Sequence, residues 1–188
     1  MRAEWAYFKE AISPEKCDTL ISHLEAKYEY QNSTIGFGES NKVDEEYRRC
    51  NIAWIDALEE DKLVKLLWHY ANRANRDFFN LDLKYINEIQ FTRYDGDLIF
   101  PAKYGWHHDV NWMEVGTFHR KLSMTVILND DYEGGEFKFD SSISPLPDEA
   151  LTKGSIICFP SLFTHEVEPV LKGSRYSIVT WVEGPKWR

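Results

Sequence analysis

From Asn51 onward the chain is a succession of short β-branched and aromatic runs separated by glycine turns, and this most constrains its fold. The runs are Asn51–Ile55, Glu88–Tyr94, Leu122–Leu128, Glu136–Phe139, Ser155–Phe159 and Arg175–Val182. Asp95-Gly96, Gly134-Gly135, Lys153-Gly154 and Lys172-Gly173 supply the turns. β-branched and aromatic side chains suit a pleated, half-buried surface, and Gly allows the tight reversals between them. Strands that mostly follow one another without helical crossovers argue against an α/β sheet. They predict an antiparallel sandwich or jelly roll.

The helices belong to the N-terminal part. Ser13-Pro14-Glu15 joins a hydroxyl N-cap, a proline where no donor is needed and an acid at the positive dipole end. Cys17, Leu20, Ile21 and Leu24 then follow at i, i+3, i+4 and i+7, one apolar stripe of a helix. The same spacing predicts a second helix from about Glu59 to Asn80, with Leu63, Leu66, Leu67, Tyr70, Ala74 and Phe78 as its stripe. Between the helices, Gln31–Glu46 is rich in Asn, Ser, Gly and acids and reads as a long surface loop, either a lid over a site or plain surface chain. The expected organisation is one domain over residues 1–188, with helical support over about 1–85 and a jelly-roll core over about 86–188.

Composition narrows the function classes. Aromatic residues at 15% within 43% hydrophobic content exclude a disordered chain. A formal charge of -9 argues against broad binding to nucleic acid or anionic membrane, which both need attraction to phosphate. Cys17, Cys50 and Cys158 form no CxxC pair, so neither a zinc knuckle nor a disulfide framework is indicated, and free thiols suit a reducing compartment. No apolar run has the length of a membrane span or the form of a signal peptide, so a soluble cytoplasmic protein is expected.

The chemistry is carried by Trp106-His107-His108-Asp109. Residues two apart in a strand share a face, so His107 and Asp109 can reach one point while His108 turns away. Two such ligands need a third to complete a facial triad of two histidines and one carboxylate, which leaves open positions on iron(II). His165, just after the run Ser155–Phe159, is the natural third. Ten residues on, Arg175 and Ser177 share a strand face and can take a carboxylate through a guanidinium fork and a hydroxyl.

Together these residues resemble the iron(II)/2-oxoglutarate dioxygenases, and within them the prolyl 4-hydroxylase-like branch. The resemblance runs from Arg48 to Trp181. It includes RRCNIAWI (Arg48–Ile55), FTRYDGD (Phe91–Asp97), YGWHHDVN (Tyr104–Asn111), VILND with DYEGGEF (Val126–Phe137), HEVEP (His165–Pro169) and SRYSIVTW (Ser174–Trp181). It implies a double-stranded β-helix, cupin-like core, with His107, Asp109 and His165 as metal ligands and catalytic centre. Arg175 and Tyr94 would take the distal carboxylate of 2-oxoglutarate, with Ser177 a weaker member of that pocket. Trp181 and Arg48 would lie toward the substrate. One departure is visible: a second tyrosine that oxygen-sensing members place near the Leu-Asn pair is missing, with Val126 at the matching position.

The resemblance further implies Fe(II), 2-oxoglutarate as co-substrate, O2 as oxidant and ascorbate as reductant, with succinate and CO2 released. The carboxylate of Asp109, which halogenating relatives lack, favours hydroxylation. The expected reaction is hydroxylation of an unactivated C–H bond, of prolyl 4-hydroxylase type, on a peptide or protein. Two rival readings are an oxygenase acting on a free amino acid, another side chain or a small metabolite, and a non-catalytic cupin-like metal- or ligand-binding module. Trp106, Trp112, Phe159 and Trp181 are candidates for pocket walls or for ordinary packing.

Overall fold

The computed structural model describes residues 2–33, 44–110, 112 and 116–188. Its order is β1 (Ala6–Phe8), α1 (Pro14–Lys27), β2 (Gln31–Asn32), β3 (Arg48–Arg49), β4 (Asn51–Ile55), α2 (Asp61–Ala74), β5 (Tyr85–Asp95), β6 (Lys103–His107), β7 (Phe118–Ile127), β8 (Glu133–Gly134), β9 (Phe137–Phe139), β10 (Ile156–Pro160), β11 (His165–Val167), β12 (Val170–Lys172) and β13 (Ser174–Pro185). A seven-stranded sheet runs β1-β10-β7-β13-β5-β4-β2 and a four-stranded sheet runs β3-β6-β11-β9, with β12-β8 a small ribbon. Every pairing is antiparallel. This is the expected jelly roll.

Period-two alternation along the large sheet divides the core in two. On one face Ala53, Ile89, Phe91, Met124, Val126 and Ile178 pack with Cys17 and Leu24 of α1 and Leu63, Leu67 and Ala71 of α2. On the other, Ile52, Tyr94, Ile127, Ile157 and Phe159 meet Phe137, Phe139 and Val167 of the small sheet. Leu67 and Phe91 are fully buried, each worth about 1.5–3 kcal/mol of apolar transfer. The helices therefore clamp the back of the sheet, and its front is free to line a site.

Several boundaries differ from the sequence expectation for physical reasons. α1 begins at Pro14 as expected, although the Ser13 side chain makes no capping bond. The second helix is α-helical only to Ala74 and finishes in a π-turn, Asn75–Phe79. The wider turn shifts the apolar phase by one residue, so Phe79, not Phe78, is fully buried. Of the Gln31–Glu46 loop, Gln31–Asn32 pairs with β4 as an edge strand and residues 34–43 lie outside the described residues. β1, β3, β4 and β2 all come from the N-terminal part, so the support and the core share sheets. Val126 faces the helices, and its neighbours Thr125 and Ile127 lie on the opposite face of β7. No helix among the described residues is long and apolar enough to cross a membrane.

Candidate metal centre

His107 ends β6, His165 begins β11, and the two residues are paired across these strands. Asp109 lies beyond the end of β6, so strand parity alone does not place it. Its backbone N–H donates to Ser161 O at 2.9 Å, which folds the segment after His107 back over the sheet. One ligand atom from each of His107, Asp109 and His165 falls within 4.8 Å of the others. Each Nε2 stands 3.7 Å from a different Asp109 oxygen, that of His107 from Oδ1 and that of His165 from Oδ2.

The hydrogen bonds set the tautomers. His107 Nδ1 lies 2.8 Å from Gly105 O and His165 Nδ1 2.9 Å from Phe163 O. A carbonyl only accepts, so each Nδ1 carries a proton and each Nε2 faces the cluster. Burial, then the neighbouring His165, push His107 down to about 3, which keeps its imidazole neutral. Burial alone would raise Asp109. Attraction to the His165 and His107 rings in their protonated form, to the Arg120 guanidinium and to the Ser123 hydroxyl outweighs it and holds the carboxyl at about 2. Ser123 Oγ donates to Asp109 Oδ2 at 2.6 Å, with Ser161 Oγ 2.9 Å from Ser123. Two imidazoles that turn Nε2 toward one carboxylate are the donor set of a facial triad, so these residues fit an iron(II) ion.

The cluster opens into a cavity of about 470 Å³ that also receives Arg175, Tyr94, Ser177, Arg48 and Trp181. Arg175 and Tyr94 are cross-strand partners on β13 and β5. Arg175 is 1% exposed, and its Nη1 donates to Ser177 Oγ at 3.1 Å. Its Nε is buried without a partner, and no carboxylate among the described residues forms an ion pair with it. A buried guanidinium in this state calls for an anion. Burial pushes the Tyr94 phenol up, so it stays protonated and can donate to that anion. The Gly134-Gly135 turn makes the burial possible. Gly135 has φ +70, and a Cβ there would stand 2.7 Å from Val170 Cγ2 and 3.2 Å from Arg175 Cδ.

On the open side, Arg48 Nη2 donates to Gln90 Oε1 at 2.8 Å. Arg120 stacks on Trp181, 3.7 Å from its ring, and donates to Glu88 Oε2 at 2.6 Å. Phe159 and Trp181 do wall the pocket, whereas Trp106 and Trp112 are about half exposed. His108, beyond the end of β6, is exposed at the cavity and makes an edge contact with Trp112. Glu88, Gln90, Arg120, Ser123 and Tyr104 escaped the sequence reading. Parity back from Tyr94 along β5 would have found Gln90 and Glu88.

The profile of the 2OG-Fe(II) oxygenase superfamily matches residues 89–183, just over half of the chain. The chain belongs to that superfamily, whose members are defined by iron(II) and 2-oxoglutarate. A PKHD-type hydroxylase of Crocosphaera subtropica is 32% identical over 160 residues, covering 84% of this chain and 62% of that protein. The chain thus spans under two thirds of that relative's length. A Pseudomonas putida prolyl-4-hydroxylase shares the fold with a TM-score of 0.73 at 20% identity, over 97% of this chain and 94% of that one. So does a Trichoplax adhaerens prolyl hydroxylase in complex with a hypoxia inducible factor oxygen degradation domain peptide fragment, at TM-score 0.73 and 17% identity, over 95% and 83%.

Proposed function

We propose that this chain is one catalytic domain that hydroxylates an unactivated C–H bond, with prolyl 4-hydroxylase-type action on a peptide or protein. The observation that carries the reading is the pairing of two features in one cavity: a preset His107–Asp109–His165 cluster and a buried Arg175 whose charge no carboxylate among the described residues answers. Iron(II), 2-oxoglutarate and O2 together supply oxidative decarboxylation to succinate and CO2, coupled to oxygen insertion, with ascorbate keeping the metal reduced.

The chain's own residues bind and orient. His107, Asp109 and His165 would hold the metal. Arg175, Tyr94 and Ser177 take the far carboxylate of 2-oxoglutarate, and Phe137 and Phe159 keep that end of the cavity dry. Arg48, Arg120 and Trp181 line the substrate side. The hydroxylase name of the Crocosphaera relative and the peptide bound to the Trichoplax neighbour support a peptide substrate. Three free, buried cysteines suit a cytoplasmic setting.

The test is CO2 release from carboxyl-labelled 2-oxoglutarate with iron(II) and ascorbate. His107→Ala should abolish it, and release that survives the change would refute the metal assignment. Mass spectrometry across prolyl peptides, free amino acids and other side chains then looks for the gain of one oxygen atom. Turnover of another compound with no prolyl product would refute the substrate class alone.

A further inference from the structure

We propose that Tyr104 is a positioning residue of the metal centre. Its ring, clamped between the Arg48 guanidinium and the His107 imidazole, holds His107 in its ligating orientation and couples the metal to strand β3. The proposal rests on reading the His107–Asp109–His165 cluster as a metal site.

The Tyr104 and His107 rings lie 3.6 Å apart between centroids, with planes 16° from parallel. On the other side of the phenol ring, Arg48 Cζ stands 4.2 Å from the centroid. Residues three apart in a regular strand point to opposite faces, so this stack needs a cause. The register supplies it. His165 pairs with His107 and Val167 with Tyr104, so two steps along β11 answer three along β6. That extra residue is a β-bulge, and it re-aims Tyr104 onto the face of His107. Gly105 sits in the bulge, where a Cβ would meet the Tyr47 ring at 3.1 Å.

The two histidines are held differently. His165 is braced in the core by Phe159 at 4.7 Å and Phe137 at 5.3 Å, besides its bond to Phe163 O. His107 stands at the cavity edge, and its bond to Gly105 O fixes where Nδ1 points but leaves the plane of the ring to be set by contact. Tyr104 provides that contact. Arg48 in turn sits on β3, where it pairs with Tyr104 and bonds to Gln90 of β5. A continuous column therefore runs from Gln90 through Arg48 and Tyr104 to His107. By linkage, whatever steadies β3 favours the metal, and the metal steadies β3 to the same degree.

Manganese(II) titration of the full chain, followed by the electron paramagnetic resonance of free Mn(II), tests this without turnover. Tyr104→Phe keeps the ring and should bind as the parent does. Tyr104→Leu should bind roughly tenfold or more weakly, the usual cost of losing a group that orients a ligand. Arg48→Met should fall between the two. Hydrogen exchange supplies an independent readout, because the Arg48 amide bonds to Asp44 O and the Gly105 amide to Tyr47 O, each at 2.8 Å. Mn(II) should slow both amides in the parent and not in Tyr104→Leu. Equal Mn(II) affinity for Tyr104→Leu and the parent would overturn the proposal. If Tyr104→Leu fails to fold, unchanged exchange of both parent amides on adding Mn(II) would overturn it instead. A parent that binds no Mn(II) would refute the underlying metal reading, a distinct result.

Discussion

Arg175→Met separates two roles that a buried arginine can play. The side chain is fully enclosed, its stem lies against Gly135, and Ser177 Oγ accepts a hydrogen bond from its Nη1. If the guanidinium waits for a carboxylate, the apoprotein bears the cost of a desolvated, unanswered charge. Methionine fills much the same stem volume without it, so the metal-free, ligand-free variant should be as stable as the parent or up to about 2 kcal/mol more stable. With ligand the sign reverses. The distal carboxylate of 2-oxoglutarate would be left buried and unpaired, a loss of about 3 kcal/mol or more, or roughly 100-fold in affinity. Mass action turns this into a measurable difference. At about 100 times the parent Kd, 2-oxoglutarate adds ~2.7 kcal/mol to the parent and only ~0.4 kcal/mol to a variant binding 100-fold more weakly. Thermal and urea unfolding with Mn(II), with and without 2-oxoglutarate, reads both quantities. An apo variant more than about 2 kcal/mol less stable would show that the charge was already compensated and the role structural. A ligand-induced shift equal to the parent's would remove Arg175 from the co-substrate pocket.

Gly135→Ala should cost about 1–3 kcal/mol, because alanine is strained at φ +70 and its methyl would press on Val170 and the Arg175 stem. Calorimetric titration with 2-oxoglutarate should show weaker binding as well, and unchanged affinity would separate the turn from the pocket. Glu60 ties α2 to α1 through Lys27 and His23, each at 2.8 Å. Burial would raise its carboxyl, but these two partners outweigh it and hold it below the usual range. A depressed folded pKa gives stability above the unfolded value that is lost as pH falls through the folded one. Glu60→Gln should therefore cost roughly 0.5 kcal/mol at about pH 7 and progressively less as the pH falls below about 4, checked by urea unfolding across that range.

The grouping of His107, Asp109 and His165 could be anticipated because the first two stand two apart and the third follows a strand rich in Ile and Phe. Strand geometry accounts neither for His108, which is exposed yet lines the cavity beside His107, nor for Asp109, which owes its place to the Ser161 carbonyl. Short elements were harder. β1 and β11 have three residues each, too few for a period to show, and Gly105 obscures the pattern of β6. The π-turn after Ala74 could not be seen because one extra residue per turn leaves composition unchanged. Arg120 and Glu88 are 32 residues apart and become partners only when β5 and β7 flank β13. Such pairs follow from topology, which no window along the chain contains.

The outer strands of the two main sheets have a consequence for the protein in concentrated solution. The seven-stranded sheet is bounded by β1 and β2, with three and two residues, and the four-stranded sheet by β3 and β9, with two and three. A stranger's strand needs a long, flat row of open amides and carbonyls to pair with, and none of these borders supplies one. The long strands β5, β7 and β13 lie between neighbours on both sides. Edge-to-edge stacking between copies therefore has little to start from among the described residues, despite the β-rich, strongly aromatic sequence.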